Sequence, residues 1–447
     1  MIAVFRNTWA LLIGMFLLQV GNGLQGTALG LRGDAEGFDP TVMGVVMSGY
    51  FIGFLGGARA TPMMLRRVGH VRTFAALASL ISAACIVYAA AVDPIAWTLM
   101  RLLVGFCFSG VYVVAESWLN NQATNETRGQ ALSIYLICQM AGIVLAQAVV
   151  PLADPYGYDL FVVMTVAVSI ACAPILLSVS PAPMVEHSRN LPLGRLYRIS
   201  PLGFIGCLVM GAIFASMFGM TAVWGTSVGL DATEISIVMG AFYVGAALLQ
   251  FPIGWISDRM DRRVLIAIVT GLGALAAAGM VLAGDDAVLL TLAALLIGGM
   301  ANPLYSLLIA HTNDYMALED MAGAAGGLVL LNGLGAAATP FLIGWLIDVA
   351  GPIAFPVFMA ACFAGISAYA CFRMTVRPAT PTDETLPITA LSPVSINAAQ
   401  EVYAEAAEAA EIQATEAEDA AAALDHAEAH NQDGWGDEAE SKTLRPV

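Results

Sequence analysis

The sequence predicts an all-α integral membrane protein with about twelve transmembrane helices in two pseudo-symmetric six-helix bundles. Three observations carry this: an apolar composition, a series of apolar runs each long enough to cross a bilayer, and an internal repeat. Of the 447 residues, 59% are hydrophobic and only 12% charged, with a mean hydropathy of +0.77. A soluble domain needs more charge than this to face water. The runs are rich in Gly, Ala, Leu and Met and do not alternate, which favours helices over barrel strands.

In chain order the apolar runs fall near 7–30, 41–64, 71–92, 95–119, 129–153, 158–179, 201–227, 233–256, 263–284, 286–311, 321–349 and 352–373. Each meets or exceeds the roughly 20 residues that span a hydrocarbon core as helix. The first is too long, and has too many siblings, to be a cleaved signal peptide.

Basic residues resist translocation, so their distribution sets orientation. If the spans alternate, Arg6, Arg66, Arg67, Arg72, Arg128, Arg189, Arg195, Arg198, Arg259, Arg262, Arg263, Arg373 and Arg377 all fall on one side. The opposite loops carry Arg32 amid Asp34, Glu36, Asp39, Asp93, Asp154, Asp231, Glu234, Asp285 and Asp286. Both termini are therefore expected to be cytoplasmic.

The repeat appears when Tyr50 to Arg72 is laid on Phe242 to Val264. Tyr50-Phe51-Ile52-Gly53 meets Phe242-Tyr243-Val244-Gly245, Pro62 meets Gly254, and Arg66-Arg67 meets Asp258-Arg259. With small slips, Gly105 and Tyr112 fall on Gly298 and Tyr305, and Asn120 on Asn313. The expected organisation is a bundle over 1–179, a Pro- and Arg-containing linker over 180–200, a second bundle over 201–377 and a tail over 378–447. Duplication around a short basic loop is a common plan for membrane carriers.

The formal charge of −16 belongs mostly to the tail, which has 15 acidic and 2 basic side chains. Its Ala- and Glu-rich composition offers little to bury, so a frayed helix or disorder is expected there. The seven cysteines lie in apolar spans without CxxC spacing, so neither a metal site nor a redox centre is expected. No P-loop or HExxH is present, and nothing points to an enzyme or a cofactor.

Several polar residues interrupt the spans. Arg101 sits inside the fourth, where a mid-membrane Arg costs about 2.5–3.5 kcal/mol unless it faces an interior or water. Gln19, Asn22 and Gln25 recur at i, i+3 and i+6 on one face of the first span. Gln139 and Gln147 in the fifth, and Trp224, Tyr243, Gln250, Asn302, Tyr305 and Asn332 in the seventh to eleventh, extend the set. Singly each reads as helix–helix glue. Together they describe a cavity lined by neutral hydrogen-bonding groups and aromatics, suited to a polar or amphipathic organic molecule.

The loop Gly254-Trp-Ile-Ser-Asp258-Arg259-Met-Asp261-Arg262-Arg263 resembles the G-x-x-x-D-R-x-x-R-R signature of the major facilitator superfamily. The first-half equivalent keeps Arg66, Arg67, Gly69 and Arg72 but places Arg66 where the Asp would stand. Arg101 with Gly105 resembles the superfamily's fourth-helix motif, linked to proton coupling in its antiporters. Glu116 followed by Arg128-Gly129 resembles its charge network at the cytoplasmic end of the fourth and fifth helices. Ala115 to Asn120 and His311 to Tyr315 look like the YcaD-type bacterial branch. The fifth span lacks the Gly-Pro pair of the antiporter signature.

The resemblance covers residues 1 to about 377. It implies a secondary active transporter of a small organic solute, working by alternating access with proton coupling. Its partners would be the lipid bilayer, the solute and protons, with no nucleic acid, and it would work as a monomer. By the same resemblance Arg66, Arg67, Gly69, Arg72, Glu116, Arg128, Gly254, Asp258, Arg259, Arg262 and Arg263 would form a cytoplasmic gate network, with topology-setting charge as the alternative. An uncoupled facilitator, or a sensor signalling through the tail, are the other readings of the whole chain.

Overall fold

The computed structural model describes residues 2–122, 128–154, 157–177 and 191–376; the tail and most of the linker lie outside the described residues. All regular structure among them is helical. In order the helices are α1 (Ile2–Ala35), α2 (Pro40–Val68), α3 (His70–Ala90), α4 (Pro94–Gln122), α5 (Arg128–Val149), α6 (Asp159–Leu177), the short α7 (Leu193–Ile199) and α8 (Pro201–Ala215). A π-helical turn (Ser216–Met220) joins α8 to α9 (Thr221–Ser227), making one span. Then come α10 (Ala232–Ser257), α11 (Arg262–Ala283), α12 (Ala287–Asn313), α13 (Leu318–Ala350) and α14 (Ala354–Val376).

Eleven spans among the described residues are long and apolar enough to cross a membrane. The 34-residue α1 completes the set expected from sequence, its apolar character diluted by Gln19, Asn22 and Gln25. Large apolar side chains such as Ile52, Phe251, Leu275 and Leu282 cover the outside, as a lipid-facing surface requires.

One end of the helices carries Arg66, Arg67, Arg259, Arg262 and Arg263; the other carries the acidic loops. Those acidic residues start helices. Asp93 accepts from the backbone N–H of Ile95 and Ala96 at 2.9 and 2.8 Å, and Asp286 from Val288 and Leu289 at 2.9 and 3.1 Å. Asp231 and Glu234 form a reciprocal capping box on α10. Carboxylates at helix N-termini satisfy orphan donors and suit the helix dipole.

The repeat is visible in the packing. Helix α2 lies on α4 as α10 lies on α12, α1 on α5 as α8 on α13, and α3 on α6 as α11 on α14. Matching glycines permit these crossings. A Cβ on Gly53 would strike the carbonyl of Leu102, and one on Gly245 that of Leu295; Gly105 meets Tyr50 O as Gly298 meets Phe242 O. Gly142 meets the carbonyl of Phe16 as Gly335 meets that of Leu208. Small residues give close backbone approach where lipid supplies no hydrophobic drive.

The bundles touch each other toward the acidic end. Gly44 packs on Pro340 O and Gly344 on Pro40 O, joining α2 to α13. Gly30 packs on Ala222 and Gly26 on the Phe218 carbonyl, joining α1 to the seventh span. The backbone N–H of Thr41 donates to Asp348 at 3.0 Å, its hydroxyl bonds the same oxygen, and Phe341 N–H donates to Ser48 Oγ at 3.2 Å.

Candidate functional site

Between the bundles lies a cavity of about 90 Å³. Of the residues expected to line it, Gln19, Asn22, Arg101, Gln139, Tyr243 and Asn302 do so. Gln25 stands one layer behind, holding Arg101. Trp224, Tyr305 and Asn332 lie outside the lining: Trp224 stacks on Phe355 with ring centroids 5.0 Å apart, Tyr305 is fully buried within its bundle, and the Asn332 carbonyl receives the close approach of Gly211. The structure places these three outside the lining, since a polar side chain in an apolar span can serve a neighbouring helix as readily as a cavity.

Arg101 is 4% exposed. Its Nη1 donates to Gln25 Oε1 at 3.1 Å, Nη2 lies 3.3 Å from Met47 Sδ, and the guanidinium sits 4.8 Å from the Tyr50 ring centroid. Tyr88 is a further neighbour. Its Nε has no hydrogen-bond partner among the described residues. Gly49 makes room for it, since a Cβ there would lie 3.3 Å from Arg101 Cβ.

A directed chain of hydrogen bonds crosses the first bundle's wall. Asn22 Nδ2 donates to Tyr112 OH at 3.3 Å, Tyr112 OH to Gln19 Oε1 at 2.9 Å, and Gln19 Nε2 to Gln139 Oε1 at 3.3 Å. The chain ends on Gln139 Nε2, which has no partner among the described residues. Gln147 is used differently: it accepts from Thr27 and donates to the Gly23 carbonyl, fastening α5 to α1.

The second bundle's wall is mostly apolar. Met210, Phe214, Met217, Phe218 and Met239 line it, and Phe218 stacks on Tyr243 at 4.6 Å. The π turn sets two of these side chains. Its extra residue per turn places Met217 and Phe218 both on the cavity, a distortion frequent at functional sites. Asn302 is the polar exception, donating to Gln250 Oε1 at 2.9 Å. Sequence reading found Tyr50 and Tyr112 only as repeat markers and missed the Met and Phe wall, whose residues look like any other core.

At the Arg-rich end the second-half loop is a compact ion cluster. Arg262 pairs with Asp314 at the end of α12, lies 3.8 Å from Asp258 and donates to the Ala310 carbonyl at 3.2 Å. Arg263 pairs with Asp261 at 2.7 Å. Arg259 bonds the Trp255 carbonyl and covers its ring at 4.0 Å, while the Gly254 carbonyl caps Asp258 N–H. Burial lifts the Asp314 carboxyl from 3.8 to about 6, against the pull of Arg262. Asp261 is also burdened by burial, yet its bonds to Arg263 hold it below the ordinary range.

The first-half loop differs. Arg66, Arg67 and Arg72 are exposed, and Gly69 takes φ +79° to turn α2 into α3, a conformation glycine supplies at low cost. His70 Nε2 lies 3.2 Å from Ser117 Oγ, tying α3 to α4. Glu116 is fully buried beside Ser117. The Arg128 side chain lies outside the described residues.

Two matched helix bundles around an interior polar cavity define the class of multi-pass membrane transport proteins. The Major Facilitator Superfamily model matches residues 11–230 and 202–405, and the chain belongs to that superfamily. An uncharacterized MFS-type transporter of Enterobacter sp. (strain 638) is 26% identical over 279 residues, 61% of this chain and 73% of that one. The uncharacterized MFS-type transporter YcaD of Salmonella dublin, which the chain also resembles, is 24% identical over 265 residues, 59% and 69%. Among solved structures, the nucleoside transporter NupG aligns with a TM-score of 0.65 at 16% identity, covering 83% of this chain and 98% of that one. A D-xylose-proton symporter aligns at 0.65 and 14%, covering 85% and 99%.

Proposed function

We propose that the protein is a secondary active transporter of a small organic solute, working by alternating access. The single observation that carries this reading is one-sided closure. The bundle-to-bundle contacts of Thr41, Gly44, Ser48 and Gly30 all lie toward the acidic end, with the cavity beneath them. With the Arg-rich end cytoplasmic by the positive-inside rule, and both termini on that side of a bacterial inner membrane, this is a state closed to the outside. The boundaries near 179 and 201 are the proposed limits of the two moving bodies.

Proton coupling is the proposed drive. It is supported by a carboxyl on Glu116 buried in the same helix as Arg101, and a proton gains about 2.3 kcal/mol per 100 mV on crossing. Glu116 and Arg128, with Arg66, Arg67, Arg72 and the Asp258 to Arg263 loop, are proposed to close the cytoplasmic side in the opposite state. The test is reconstitution in vesicles with an internal pH dye and a solute screen. Solute-dependent acidification is expected; uptake with no proton movement would leave the facilitator, and no uptake of any solute would sink the reading.

A further inference from the structure

Arg101 is buried, lines the cavity, and its described neighbours are Gln25, Met47, Tyr50, Tyr88 and Cys85, none of them a carboxylate. A buried cation without a counter-charge is costly, and proteins normally pair it. No carboxylate stands beside it among the described residues. A second observation points the same way: the hydrogen-bond chain through Asn22, Tyr112 and Gln19 runs in one direction and ends on the free donor of Gln139 Nε2. Arg101 Nε is likewise a free buried donor. The first bundle's wall therefore offers positive charge and, at Arg101 Nε and Gln139 Nε2, donors without a partner among the described residues. Facing it, Met210, Met217 and Phe218 offer a polarizable apolar surface that adapts to irregular shapes.

From this polarity we infer that the transported solute is a singly charged organic anion with an apolar body, its anionic group on Arg101 and Gln139 and its body on the Met and Phe wall. Charge-assisted contacts to a guanidinium are the strong ones, and a monoanion would leave the loaded cavity neutral. A cation is disfavoured by Arg101, and a polyol by the apolar wall. The inference rests on the transport reading above and deepens it.

The test uses the full chain purified in detergent and three probes with one body: 3-phenylpropanoate, 3-phenylpropanamide and 3-phenylpropylammonium. Affinity is read from the shift in thermal unfolding midpoint with probe concentration. The carboxylate is expected to bind at least tenfold more tightly than the amide or the ammonium. Arg101→Gln should abolish that preference and Arg101→Lys should restore part of it, whereas Phe218→Ala should weaken all three probes and leave the preference. Equal or tighter binding of the amide or ammonium, or no shift with the carboxylate, overturns the inference; the comparison on the unaltered chain stands even if an Arg101 variant fails to fold. Counterflow of labelled 3-phenylpropanoate in vesicles separates the two readings. Binding without exchange would sink transport and spare the anion site, and exchange of the amide in preference to the carboxylate would do the reverse.

Discussion

The two walls of the cavity come from one duplicated unit and have diverged in opposite directions. Gln19 and Gln139 of the first bundle correspond in the repeat to Gly211 and Asn332 of the second, and Arg101 to Ala294. In the first bundle all three positions face the cavity, and Gln19 hydrogen-bonds to Gln139. In the second, Gly211 closes directly on the Asn332 backbone, and no space remains for a polar layer. The scaffold glycines, by contrast, are kept in both halves. Duplication thus preserved the helix crossings and released the lining to specialise.

The shared scaffold gives the largest expected effect. Gly53→Val and Gly245→Val each place a side chain against a carbonyl of the partner helix, and overpacking of this kind costs about 1–3 kcal/mol or more. Both should lower the unfolding midpoint in detergent by similar amounts; unequal losses would break the claim that the halves share one scaffold.

Next comes the polar wall. Tyr112→Phe interrupts the chain between Asn22 and Gln19 and leaves a buried acceptor unmet, which costs about 1–3 kcal/mol. Solute affinity should fall roughly 5- to 150-fold on that scale, read by equilibrium binding. An unchanged affinity would mean the chain is only structural.

The apolar wall should be more forgiving. Met210→Leu and Met239→Leu conserve volume and should each cost less than about 1.5 kcal/mol in the same assay. A larger loss at either would show that the second wall recognises detail rather than bulk.

The smallest expected effect concerns the loops. Asp314, lifted to about 6, is ionised and paired with Arg262 above that value and takes up a proton below it. Because its pKa in the fold exceeds the usual 3.8, its contribution to stability is present below 3.8 and is lost as pH rises through about 6. Asp314→Asn should flatten the unfolding midpoint between about pH 4 and 6 relative to the parent. Arg67 in the first-half loop is exposed, so Arg67→Gln should leave the profile unchanged.

Much of this architecture was legible in the sequence. Span length, Arg asymmetry and the repeat follow from bilayer thickness and translocation, which act on composition. Arg101 was legible because charge inside a span is rare enough to need a reason. The lining was half legible: Trp224, Tyr305 and Asn332 carry the same signal as Gln19 and Asn302 but lie outside the lining. The π turn left no trace in a run such as Ser216 to Met220, whose residues read as ordinary apolar helix. Asp314 is distant from Arg262 along the chain, and only the packing of α11 on α12 joins them.

Helix α2 has two employments. Through Gly49 and Gly53 it is locked to the helix that bears Arg101, and at its tip Pro40 and Thr41 grip α13. In the proposed transport cycle, a displacement of Arg101 by solute would be passed along α2 to the end that grips α13, coupling occupancy to opening by leverage.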